Sequence, residues 1–266
     1  SCLRDDDAIN SNHRSHGHYL AKGGDLKALI AELYCRENGC SKGRGGSMHV
    51  IATDVGHLGS SAIVGGGIPI ATGLGLASKQ SGDGKVSVVF FGDGAADEGT
   101  LYESINFAVL KKLPVIYVLE DNEWAVCSRR SARQGWPNIF LKADERHLFT
   151  RTLDGNNLMA VHEAAAQSVA RARSGLGPSL LECKTYRVRG HCGSYSDGNL
   201  GYRTEEEIQN WEKGRCPVAS WKERLLAEGV VSAEGLAALE REIDAEILDA
   251  FDYAQNSPLP DKRDVG

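Results

Sequence analysis

Asp93, flanked by Gly92 and Gly94, and Asn122, one helix and one strand further on, are the residues whose types could hold a metal ion. A carboxylate and an amide both present hard oxygen. Mg²⁺ takes one or two protein oxygens and completes its octahedron with phosphate and water. Glycines beside the acid would let backbone approach a phosphate closely. The pair therefore suits a Mg²⁺–diphosphate. The same letters also make an ordinary turn, because Asp and Gly are default turn residues. A dinucleotide fingerprint is excluded, since G-x-G-x-x-G needs glycine where Asp97 stands, and no G-x-x-x-x-G-K-[S/T] loop occurs anywhere in the chain.

Other chemistry-bearing groups are scattered. His13, His16 and His18 crowd beside Arg14. An H-x-x-H-x-H loop is a weak transition-metal pattern, and a polar, partly exposed loop explains it as well. The stretch Gly39 to His49, GCSKGRGGSMH, could cradle phosphate on its N–H groups or could be a tight surface connection. Arg129, Arg130 and Arg133, followed by Gln134-Gly135-Trp136-Pro137, read as a solvated basic connector. Cys192 to Thr204 is rich in Gly, Ser and Asp and reads as a mobile loop.

Regular elements must carry Asp93 and Asn122 to one place. Val86 to Phe91 is a continuous apolar run, as expected of a strand buried on both faces of a parallel sheet. From Glu98 to Lys111, Leu101, Ile105, Ala108 and Val109 share one helical face; Pro114 stops the helix, and Val115 to Leu119 is a second buried strand. Parallel strands joined by a helix deliver their carboxyl ends to one sheet edge, where such folds bind ligands. Asp25 to Arg36 predicts a helix capped by Asp25, with Leu26, Leu29, Ile30 and Leu33 on one face. Ile68 to Ser78 predicts another, whose Gly73 and Gly75 call for close packing of a further helix, from this chain or a partner subunit. Leu158 to Arg173 and Ser232 to Tyr253 predict helices, and Pro178 to Thr185 a strand. The expectation is one α/β domain over residues 1–266, a mostly parallel sheet flanked by helices, with 205–266 a helical portion packed on it.

The chain of 266 residues can bury a large core, and its net charge of −6 gives no footprint for nucleic acid or an anionic membrane. No apolar run approaches the length of a membrane span. Seven cysteines without a C-x-x-C pair fit reduced, intracellular thiols. Ser1 in place of Met reads as a fragment or a processed chain.

The wording GDGAADEGTLYESINFAVLKKLPVIYVLEDN resembles the alpha subunit of the dehydrogenase component of 2-oxo acid dehydrogenase complexes, the pyruvate, branched-chain and acetoin enzymes. The resemblance implies two cofactors, thiamine diphosphate and Mg²⁺. It implies metal ligation by Asp93, Asn122 and the main-chain oxygen of Trp124. Cofactor contacts are implied at His13, Arg14, Ala62, Val64, Gly94, Ala95 and His191. His16 and His191 would face the reaction. An arginine fork suits phosphate, and imidazole suits proton shuttling near neutral pH.

The activating glutamate has no counterpart here and would come from a beta subunit in an α2β2 heterotetramer. The acyl group would pass to a lipoyl-bearing acyltransferase, in bacterial cytoplasm or an organelle matrix. Cys192 stands where animal relatives carry a phosphorylated serine, so that switch is not expected. Glu98 and Asp121 depart from the amides common in the family. The alternatives are a split thiamine enzyme of transketolase or acyloin-forming type without a lipoyl partner, and a non-catalytic subunit kept for assembly.

Overall fold

A computed structural model describes residues 2–135 and 147–264; Trp136 and Pro137 of the basic stretch lie outside them. In chain order the first half holds β1 (Ala8–Ser11), α1 (His16–Ala21), α2 (Leu26–Leu33), β2 (His57–Ser60), α3 (Gly67–Ser81), β3 (Ser87–Gly92), α4 (Gly99–Lys111) and β4 (Val115–Asp121). The second half holds β5 (Trp124–Ala125), β6 (Ser128–Arg129), β7 (Phe149–Asp154), α5 (Leu158–Arg173), β8 (Ser179–Lys184), α6 (Glu205–Gly214), α7 (Pro217–Ala227) and α8 (Ala233–Asn256). The chain forms two compact units, one of residues 1–3 with 64–224 and one of 4–63 with 225–266.

In the first unit β3, β4, β8 and β7 lie side by side in that order, and every pairing is parallel. Val89 and Phe91 of β3 and Val115, Tyr117 and Leu119 of β4 meet Ile68, Leu101, Ile105 and Ala108 of the flanking helices in one buried cluster. Removing such branched and aromatic side chains from water is the main favourable term in holding these layers together. Helix α4 ends where Lys112 turns left-handed, two residues before Pro114.

The glycines of α3 divide. A Cβ on Gly75 would collide with Val115 of β4, so the close neighbour there is a strand of the same unit and not another helix. Among the described residues, a Cβ on Gly73 would meet nothing within 4 Å beyond the backbone of its own helix.

In the second unit β1 and β2 pair in parallel, so the chain is α/β with mostly parallel strands; the two-residue pair β5–β6 is antiparallel. Asp25 caps α2 as expected, its carboxylate accepting from the Ala28 N–H at 2.9 Å. The buried face of α2 differs from expectation: Leu29, Ala31 and Glu32 are inside, while Leu33 is half exposed. Helices α2 and α8 pack together, with Lys27 Nζ 2.6 Å from Asp249. On α8 the buried positions are Ala250 and Ala254; Leu239, Ile243, Ile247 and Leu248 are exposed. Among the described residues no helix is long and apolar enough to cross a membrane.

Candidate functional site

The register of β3 on β4 sets Gly92 against Glu120, so Asp93 and Asn122 follow the carboxyl ends of neighbouring strands at one edge. Lys184 at the end of β8 is level with Asp121, which brings a third strand end to the same edge. After Asp93 the chain turns tightly through Ala95–Asp97. A Cβ on Gly94 would lie 3.0 Å from the Ala125 methyl, so glycine keeps this approach open.

Asp93 is 1% exposed, and that burial pushes its carboxyl pKa up. The Arg133 guanidinium opposes the shift and the nearby Asp121 carboxylate adds to it. Arg133 spans Asp93 and Asp97, one guanidinium nitrogen on each, and Gln134 Nε2 donates to Asp97 Oδ1 at 2.7 Å. Behind them the fully buried Asp121 binds Arg130 and, at 2.5 Å, Lys184; Glu182 receives the same two cations at 2.9 and 2.7 Å. The basic stretch expected to be a solvated connector is therefore anchored into the sheet edge by ion pairs. Burial of the acids explains this, because a buried carboxylate is tolerated only with a partner.

Asn122 builds the next turn. Its Oδ1 accepts the Trp124 N–H at 3.1 Å, and Asp121 Oδ1 accepts the Glu123 N–H at 3.1 Å. Glu123 takes a left-handed φ of 67° between them. Trp124 is buried edge-on to Tyr202, ring centroids 5.2 Å apart, and its Nε1 has no hydrogen-bond partner among the described residues. An amide oxygen has two lone pairs, so Asn122 retains one beyond the turn. A buried carboxylate held by a side-chain cation, an amide oxygen following the neighbouring strand end and a glycine-lined approach fit a hard divalent ion with phosphate.

His191 is half-buried in the segment after β8, where the Gly190 N–H meets the Tyr195 carbonyl at 2.9 Å. The stretch read as a mobile loop is pinned at its far end. Asp197 binds Arg187 at 3.3 Å, Arg203 Nε at 2.7 Å and the Tyr202 hydroxyl, and Ser196 donates to Glu205 at 2.7 Å. Cys192, Gly193, Ser194 and Tyr195 are exposed. Ala95 is buried, and Val64, in the same unit, is exposed.

His13, Arg14, His16 and Ala62 belong to the other compact unit. Arg14 is exposed, with its N–H on Asn12 Oδ1 at 2.7 Å. His18 Nδ1 lies 2.7 Å from Ser11 Oγ, and His16 Nε2 lies 2.9 Å from the Ser47 carbonyl. Among the described residues no group of three or more His, Cys, Asp or Glu is arranged to hold a metal, these histidines included.

The glycine-rich stretch departs from the phosphate-cradle expectation. The N–H groups of Ser41 and Gly43 donate to Glu32 Oε2 at 2.8 and 2.9 Å, and those of Gly45 and Gly46 to Oε1 at 2.6 and 3.0 Å. An internal carboxylate already fills that cradle.

Sequence reading missed Glu32, and it took Arg130 and Arg133 for solvated residues where they pair with Asp121 and Asp93. The signal available was acid and base appearing together, Asp97 and Asp121 on one side and three arginines on the other.

The family model for the dehydrogenase E1 component matches residues 1–263. The alpha subunit of acetoin:2,6-dichlorophenolindophenol oxidoreductase of Bacillus subtilis is 38% identical over 258 residues, 97% of this chain and 76% of that protein. The pyruvate dehydrogenase E1 component subunit alpha of Rhizobium meliloti is 38% identical over 259 residues, 97% of this chain and 74% of that one. The somatic mitochondrial form from Rattus norvegicus is 35% identical over 260 residues, covering 98% and 65%. The chain belongs to the dehydrogenase E1 component family, as an alpha subunit of the pyruvate and acetoin dehydrogenase kind.

Proposed function

We propose that this chain is the alpha subunit of a thiamine diphosphate- and Mg²⁺-dependent dehydrogenase acting on a 2-oxo acid or acetoin. The observation that carries the reading is the placement of Asp93 and Asn122 after neighbouring strand ends, within a chain matched by the E1 family almost throughout. Thiamine diphosphate, when bound, supplies the electron sink for cleaving the bond next to a carbonyl. The chain's own task is to hold it. Asp93 and Asn122 offer oxygen to the divalent ion, joined by the main-chain oxygen of Trp124. Gly94 and Ala95 offer backbone to the diphosphate. Arg14, His13 and His191 are each assigned as positive or donor groups for phosphate oxygens. Ala62 and Val64 are assigned to backbone contacts with the pyrimidine ring.

His16 and His191 are assigned to proton transfer and to steadying charge at the reacting carbon. A beta subunit in an α2β2 assembly supplies the activating glutamate, and a lipoyl-bearing acyltransferase receives the acyl group. The relatives act, by their names, on pyruvate and on acetoin, and these define the substrate class to try first.

Reconstituted with its beta subunit, the Asp93→Ala chain is expected to lose Mg²⁺-dependent binding of thiamine diphosphate in calorimetry. Unchanged affinity would refute the ligand assignment. Turnover of a panel of 2-oxo acids and acetoin by the wild-type assembly then fixes the substrate.

A further inference from the structure

Glu32 stands at the end of α2, 0% exposed, and four main-chain N–H groups donate to its carboxylate. Both oxygens are filled by main-chain N–H groups of one loop, 41–46. Such charge-assisted bonds are about twice as strong as neutral ones, and four together fix a loop that has almost no side chains of its own to bury. The glycines follow from this. A Cβ on Gly39 would strike the Glu32 carboxylate, and one on Gly45 would strike the His49 carbonyl. Gly43 and Gly46 take φ of 72° and 56° to aim their N–H groups inward. Ser41 Oγ closes the loop on the His49 carbonyl at 2.7 Å.

The next residue of that loop holds an imidazole. The Ser47 carbonyl lies 2.9 Å, and its hydroxyl 3.1 Å, from His16 Nε2. A carbonyl only accepts, so Nε2 must carry the proton and Nδ1 is the unprotonated nitrogen of the neutral ring.

We propose that Glu32 is a positioning residue: through the four N–H groups of the 41–46 loop it sets the Ser47 carbonyl, and thereby the orientation and the Nε2–H tautomer of His16. The inference rests on the reading that His16 faces the reaction, and it adds which nitrogen His16 offers and which distant carboxylate decides it. Nδ1 is then the atom that takes up or holds a proton. Glutamine at position 32 keeps the volume, but in either orientation its amide nitrogen would face two main-chain N–H groups, so the loop must shift.

The test uses the chain assembled with its beta subunit and loaded with thiamine diphosphate and Mg²⁺. In the wild-type assembly, ¹⁵N-detected imidazole spectra should show His16 as the Nε2–H tautomer; an Nδ1–H tautomer would overturn the proposal without any variant. Glu32→Gln should mix the tautomers and lower kcat about tenfold, the low end of the loss seen when a group that orients a metal-ligating histidine is removed. Cofactor affinity should stay unchanged. In a His16→Ala background the same substitution should cost nothing further. An equal loss in both backgrounds would mean that Glu32 acts independently of His16, and the proposal fails. Should Glu32→Gln not fold, Glu32→Asp keeps the charge one methylene shorter and should shift the His16 signal in the same direction; an unmoved signal overturns the coupling. Full turnover by His16→Ala removes His16 from the reaction and the proposal with it. Failure of the cofactor reading shows separately, as a wild-type assembly that binds no thiamine diphosphate.

Discussion

Glu32 and Asp93 are both carboxylates withdrawn from water, and the chain neutralises them by different means. Glu32 is met by four main-chain N–H groups of one loop. Asp93 is met by the side chain of Arg133, itself 17% exposed and shared with Asp97. A main-chain donor cannot leave without refolding its loop. A guanidinium on a flexible stem can leave by changing rotamers, and its release recovers up to about 2 kcal/mol of side-chain entropy. The first arrangement makes a fixed node; the second leaves the acid open to another cation. Equal burial thus says little about role until the partner's attachment is known.

The sharpest way to break this contrast is to delete each carboxylate. Glu32→Ala leaves four buried N–H groups without an acceptor, and hydrogen bonds to charged groups are worth about 1.5–3 kcal/mol each without being additive. We expect a loss of more than about 3 kcal/mol from the urea midpoint, if the protein folds at all. Asp93→Ala should cost about 1 kcal/mol or less, because the desolvation of a carboxylate is relieved while Arg133 keeps Asp97. Equal losses would show that both acids are structural nodes.

What could be read from the sequence was local. The run Val86 to Phe91, the spacing of Leu101, Ile105 and Ala108 and the break at Pro114 each depend on neighbours in the chain, and together they placed Asp93 and Asn122 at strand ends. The Asp25 cap is equally local. The pairings that neutralise the acids are not. Arg133 reaches Asp93, and Lys184 reaches Asp121, across long stretches of sequence that no period encodes. Glu32 was hidden differently: a glutamate beside an apolar stripe looks solvated, and only the glycines that follow give it a partner inside. The strands β1 and β7 were also unread, being short and, in β7, half polar.

His57 marks the opposite limit, an ionisable group buried with no hydrogen-bond partner for either ring nitrogen among the described residues. Burial lowers its pKa from the usual 6.5 to about 4, with His18 and Lys22 adding to the shift. The unfolded chain then binds a proton between those values while the folded one does not, so stability falls as pH drops through that window and is complete above it. From this group alone we expect about 2 kcal/mol lost between pH 7 and pH 5. Comparing wild type with His57→Phe at both pH values isolates it: the variant's curve should be flatter by that amount. A parallel pair of curves would mean His57 is already protonated or solvated in the fold.

The smallest effect is the most informative about Asp93. If Arg133 is an exchangeable stand-in for a divalent cation, it competes for the same carboxylate, and its removal should strengthen binding of the metal. A partly exposed ion pair is worth roughly 1 kcal/mol, so Arg133→Ala should tighten Mg²⁺ binding by about five- to tenfold in calorimetry without cofactor. Arg133→Lys, which keeps the charge but loses the fork spanning Asp93 and Asp97, should fall between the two. If affinity is unchanged, Asp93 is available whatever Arg133 does, and the ion pair is incidental. Weaker binding in Arg133→Ala reverses the sense of the contrast: the guanidinium would then hold the 130–134 turn in the shape that the metal needs, a fixed support like the loop on Glu32. The thermodynamic sign of one substitution therefore decides whether the two buried carboxylates differ in kind or only in the length of their partners' tethers.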